Sequence, residues 1–288
     1  MKAAQMMAPE HWITAHKIPV GTAMAAVIDV VRHYGLGVFD AISDVVGACA
    51  DGLTIMLLDI PPLLLVAVAI VGAWFLRRSW KLVALIALGL LFIINQGYWN
   101  ETMATLSLIL FSTLCCMVVG VPLGVVSAHR PRLAQVLHPI LDLMQTLPTF
   151  VYLIPTLILF GLGTVPGMIS TIIFAVPAPI RMTQMGIARV PRSLIEAGEA
   201  FGATERQILW KIELPAALPL IQAGLTQCIM LSLSMVVIAA LVGAGGLGVP
   251  VVRALNTVQV DVGFESGFVI VLLAIMLDRL CRSKEPAQ

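Results

Sequence analysis

The chain has 288 residues, 59% of them hydrophobic and 11% charged, with a net charge of +1 and a mean hydropathy of +1.00. Soluble domains carry about 25% charged residues, so this chain cannot cover a water-facing globule, and its neutral balance excludes a nucleic-acid-binding surface. It is a membrane chain by composition, all-α by its long apolar runs, with length for about seven spans of roughly 20 residues.

The first twenty residues lack a clean apolar core and a small-residue cleavage site, so no cleavable signal peptide is expected. Phe39, Ile42, Val46, Cys49 and Leu53 oppose Asp40, Asp44 and Asp51 at helical spacing, which predicts an amphipathic helix in the membrane interface. A tilted span through Ala23 to Val31 competes with that reading, but Asp29 would cost about 2.5–3.5 kcal/mol near the bilayer centre. Residues 1–59 are therefore expected to form an N-terminal interfacial segment outside the cell, ahead of a membrane domain over 60–288.

Seven apolar runs follow: Ile60 to Leu76, Leu82 to Asn95, Thr102 to Ala128, Leu143 to Phe160, Val165 to Ile180, Leu218 to Val242 and Phe264 to Leu280. Thirteen of the 17 Lys and Arg fall in alternate connections: Arg77, Arg78 and Lys81; Arg130 and Arg132; Arg181 through Lys211; and Arg279, Arg282 and Lys284. The positive-inside rule makes that side the cytoplasm, with the N-terminus outside and the C-terminus inside. The five cysteines, Cys49, Cys115, Cys116, Cys228 and Cys281, are scattered in apolar runs and read as small packing residues rather than disulfides or a metal site.

The longest inside segment, Arg181 to Ala217, carries two capping boxes in tandem, Ser193 with Glu196 and Thr204 with Gln207. Gly202 stands between them where a helix C-cap wants glycine. The expectation is a helix over Leu194–Phe201, a sharp turn at Gly202, and a second helix over Glu205–Glu213 closed by Pro215. One capping box would mark a well-made connector. Two capped helices at a glycine elbow form a rigid peg offered to a partner, with Glu196 and Glu199 on one face.

The pattern Glu196-Ala197-Gly198, then Gly202, then Ile212-x-Leu214-Pro215 resembles the "EAA" loop of permease subunits of ABC importers, with glycine in place of the second alanine. The stretches Met144–Gly163, Ala240–Gly248 and Ala274–Arg279 are similar to the glycine betaine/proline/choline subgroup, and the likeness covers about Pro61 to Arg279. It implies a type I importer permease core, translocation of a quaternary amine across the inner membrane, and a coupling motif of Glu196, Ala197, Gly198, Gly202, Ile212, Leu214 and Pro215. It also implies a cytoplasmic ATPase, a periplasmic or lipid-anchored binding protein and a second permease copy. No lysine follows the glycine of a P-loop, so this chain is expected to bind no nucleotide or other cofactor and to have no ATPase site of its own.

The five histidines form no HExxH motif, and Asp278 beside Arg279 reads as a local ion pair with a snorkelling arginine in preference to a proton-relay carboxylate. Pro148 and Pro155 break one span and Gly243, Gly245 and Gly246 follow another, so these residues are candidates to line the path. Phe150 and Tyr152 could meet a quaternary ammonium by cation–π contact. The competing class is a secondary transporter driven by an ion gradient, which would want midplane carboxylates. No acidic residue sits near the centre of runs two to six.

Overall fold

The computed structural model describes residues 19–281; the expectation for the leading residues, and Arg282 and Lys284, lie outside that range. The chain divides into two compact units, residues 1–42 and 43–288, and the described residues contain helices and no strand. Helix α1 is Val20–Asp59. In the first unit it carries Asp29, Arg32 and Asp40 among exposed apolar residues, with His33 and Tyr34 edge to face at 5.3 Å.

The interfacial helix expected over residues 39–53 is instead part of this single 40-residue helix, which is long and apolar enough to cross a membrane. The reason is packing. Ala50 is buried against Leu108, Met168, Ala239 and Ala244, and its carbonyl accepts a 3.0 Å bond from buried Ser107. Residues 43–59 therefore belong to the second unit's core.

In that unit α2 (Pro62–Arg77) and α3 (Trp80–Asn95) form an apolar hairpin. Pro62 sits at the first turn of α2, where a missing N–H costs nothing, and Arg78 ends the helix with φ 48. Helix α4 (Trp99–His129) is followed by α5 (Pro131–Thr146), α6 (Thr149–Phe160), α7 (Thr164–Ala175) and α8 (Pro177–Ala188). After the connecting segment described below come α11 (Leu214–Ala240), α12 (Gly248–Thr257) and α13 (Val260–Cys281). Among the described residues five helical stretches are long and apolar enough to cross a membrane, or six if α5 and α6 count as one bent span; α2 and α3 are shorter apolar helices.

The single run expected from Leu143 to Phe160 is broken, with α5 and α6 meeting at 96°. A proline pushes the residue before it out of helical geometry, and Leu147 is extended at φ −63, ψ 135, with Pro148 following at ψ 134. Helix α8 is gripped between α4 and α11. A side chain at Gly120 would strike Pro179 at 2.7 Å, one at Gly124 would strike Thr183 at 2.6 Å, and one at Gly224 would strike Met182 at 2.9 Å. Small residues four apart let helices approach this closely in lipid, where dispersion and short polar contacts replace the hydrophobic effect.

Side-chain contacts set the ends of the bundle. The Tyr98 hydroxyl donates to Glu265 at 3.5 Å, joining the starts of α4 and α13; burial and the facing Glu265 carboxylate hold this phenol above its usual pKa. At the other end Arg77 donates twice to the Leu280 carbonyl, at 3.0 and 2.7 Å. This contact brings the basic turn after α2 beside the end of α13.

Candidate functional site

The segment between α8 and α11 folds as an elbow. Helix α9 is Arg192–Ala200, α10 is Glu205–Ile208, and a π turn, Leu209–Glu213, runs directly into α11. Gly202 takes φ 74, a left-handed conformation that costs L-residues about 1–2 kcal/mol. Its N–H donates to the Glu199 carbonyl at 2.9 Å, and that of Ala203 donates to Gly198 at 3.0 Å. The Thr204/Gln207 capping box is complete: Gln207 N–H donates to Thr204 Oγ1 at 3.4 Å, and Thr204 N–H to Gln207 Oε1 at 2.9 Å.

Two expectations fail here. The Ser193/Glu196 box does not form, because Pro191 takes the N-cap place with extended geometry and Ser193 already lies inside α9. Nor does Pro215 close a helix. Leu214 N–H bonds Leu209 O, five residues back, and this widened turn shifts the bonding ladder by one residue just before the proline, which has no N–H to give. The elbow is therefore a continuous extension of a core helix.

Gly198 is the keystone of the bend. A side chain there would lie 2.6 Å from Ile212 Cδ1, so the third residue of the motif is small to seat the elbow on itself. Ile212 and Leu214 are half-buried beneath it and Pro215 is exposed. Glu196, Ala197 and Glu199 are exposed, and beside them Phe201 is 93% and Trp210 64% exposed. The elbow thus presents two acids and two large aromatics outward.

Sequence reasoning missed the link from this elbow to the bundle. Glu213 is buried and its carboxylate meets His129 Nε2 at 3.0 Å, while His129 Nδ1 lies 2.9 Å from the Val125 carbonyl. Glu213 stands at the unspecified position of the I-x-L-P pattern, so spacing alone drew no attention to it. Arg181 of α8 pairs with Asp142 of α5 at 2.6 Å, and His138 reaches Gln184 at 3.0 Å. Among the described residues Glu213 is the charged side chain that the core buries.

The path candidates separate into two groups. Tyr152 is buried and its hydroxyl donates to the Met144 carbonyl across the α5–α6 break; Thr156, one turn on, lies 2.7 Å from Ser170 of α7. Gly246 is buried with φ 103, and a side chain there would meet Thr105 Oγ1 at 2.5 Å. Pro148, Phe150, Gly243 and Gly245 are exposed and Pro155 is half-buried.

Residues 120–281 match a family described as "Binding-protein-dependent transport system inner membrane component". The chain belongs to this family. It is 44% identical over 268 residues to the glycine betaine transport system permease protein OpuAB of Bacillus subtilis, covering 93% of this chain and 94% of the relative. It is 43% identical over 270 residues to the glycine betaine/proline betaine transport system permease protein ProW of Escherichia coli, covering 92% and 75%. A solved structure of the MetNI methionine ABC transporter, in an inward-facing conformation, shares the fold with a TM-score of 0.56 and 26% identity, over 62% of this chain and 89% of that one. The permease is thus an inner-membrane transport subunit of an ABC importer with a type I core, and such a subunit works with a binding protein and an ATPase.

Proposed function

We propose that this permease carries quaternary amines of the glycine betaine and choline kind, and that residues 192–215 couple it to a cytoplasmic ATPase. The coupling reading rests on one observation: α9 ends in the bend at Gly202 and packs on Ile212 through Gly198, while α10 runs on through the π turn into core helix α11. A push on the exposed face bearing Glu196, Ala197, Glu199 and Phe201 therefore passes into α11 directly and, through Glu213 and His129, into α4. The cargo class rests on the printed activities of relatives covering most of the chain.

In this reading the basic end of the bundle faces the cytoplasm, two copies of the permease enclose the path, and ATP is bound by the partner. Closure of the ATPases drives the elbows together, the pair opens outward to a loaded binding protein, and hydrolysis resets it. Exposed Pro148, Phe150, Gly243 and Gly245 are the path candidates kept, with Pro155 on the same broken helix. Tyr152 and Gly246 act by holding the break and the glycine turn.

The test is reconstitution. Proteoliposomes holding permease, ATPase and binding protein should take up labelled glycine betaine only with ATP inside. Uptake by the permease alone under an ion gradient would replace this reading with a secondary transporter.

A further inference from the structure

Helix α3 starts in an unusual setting. Its N-cap, Ser79, is extended and makes no side-chain cap bond, so the first N–H groups of a 16-residue helix lack the usual capping partner. The helix start borders a cavity of about 510 Å³ lined by Arg77, Ser79, Lys81, Leu82, Leu85 and Arg279. Three cations therefore meet at the positive end of a helix dipole. Among the described residues no carboxylate lies within ion-pair distance of any of them. Arg77 is pre-set for the site, because two of its N–H groups are already bound to the Leu280 carbonyl and hold the guanidinium in place.

An independent observation says where the anion comes from. Trp74 and Trp80 flank this turn with ring centroids 4.7 Å apart, and Trp80 is 74% exposed. Paired exposed tryptophans mark the headgroup level of a bilayer, and the cavity's other wall, Leu82 and Leu85, is apolar. A free phosphate ion would leave that wall wet, whereas a phospholipid meets cations with its phosphate and leucines with its glycerol and first methylenes.

We infer that the cavity between the α2–α3 turn and the end of α13 binds the headgroup of an anionic phospholipid, with Arg77, Lys81 and Arg279 and the first N–H groups of α3 on its phosphate. Basic pockets between membrane helices are a known means of holding such headgroups. The site is independent of the cargo and of the elbow, so its failure and theirs are separable.

The experiment titrates the detergent-solubilised full-length chain with phosphatidylglycerol and, in parallel, phosphatidylcholine, and counts bound lipid by native mass spectrometry. A saturable phosphatidylglycerol adduct is expected for the wild type. It should weaken roughly 20-fold in the Lys81→Gln/Arg279→Gln variant and persist in Lys81→Arg/Arg279→Lys. Arg77 is left intact because it also caps α13, so folding is not in question. Equal phosphatidylglycerol binding by wild type and the glutamine variant, equal binding of the two lipids, or displacement of the lipid by millimolar inorganic phosphate would each overturn the proposal.

Discussion

Two glycine turns in this permease look alike in sequence and do opposite work. At the elbow, Gly202 has φ 74 and open space around the position a side chain would fill. At the turn after α11, Gly246 has φ 103 with Thr105 Oγ1 only 2.5 Å from that position, while the neighbouring Leu247 N–H donates to the same hydroxyl at 2.8 Å. The first glycine is needed for a backbone conformation alone, and the second for conformation and close packing together. An exposed bend can be altered without unfolding the bundle; a buried one cannot.

Gly246→Val is expected to have the largest effect on folding, because about 1–3 kcal/mol of overpacking adds to about 1–2 kcal/mol of left-handed strain. The yield of monodisperse protein in detergent should collapse. Gly202→Pro should do the reverse. Proline cannot reach φ 74 and removes the N–H that bonds Glu199, so betaine uptake should be lost while the melting temperature stays near wild type. Wild-type uptake by that variant would remove the elbow from the mechanism.

A smaller effect is expected at the link between elbow and bundle. His129→Ala leaves the buried Glu213 carboxylate without its ring partner, at about 1 kcal/mol given that the histidine is half exposed. Glu213→Gln, which can still accept a bond from the ring, should cost less. Thermal melts of the two variants rank them, and transport per ATP hydrolysed tests whether the link carries motion. The smallest change is Thr204→Ala, which removes a cap worth about 1 kcal/mol or less at an exposed site; hydrogen exchange across residues 204–209 should rise with little change in uptake.

Much of the architecture was legible. Every apolar run read from the sequence forms helix in the structure, one of them broken at Leu147–Pro148, and the capping box at Thr204 and the turn at Gly202 stand where local chemistry puts them. The errors share a cause. Pro148 and Pro215 are both prolines inside apolar stretches, yet one breaks its helix and the other is absorbed by a π turn. Proline chemistry supplies the strain but not the direction of relief, which depends on what each helix packs against. The Ser193 box failed because Pro191 started the helix two residues early.

The N-terminal segment and the path candidates show the same limit. Asp40, Asp44 and Asp51 argued for an interfacial helix, and only the burial of Ala50 against α4 and its neighbours drew residues 43–59 into the core. Tyr152 is a cargo candidate by residue type, and the bond from its hydroxyl to the Met144 carbonyl across the break joins positions that no local pattern pairs.

What the sequence determined by itself was membrane residence, helical class and the bent cap, because these depend on local hydrophobicity and on backbone limits within a few residues. What only the tertiary structure decided was the pairing of distant groups: Glu213 with His129, Gly198 beneath Ile212, α8 wedged at Gly120 and Gly124, and three cations at one helix start. Such contacts join positions far apart in the chain, and their energies depend on burial and distance, which a linear pattern does not contain.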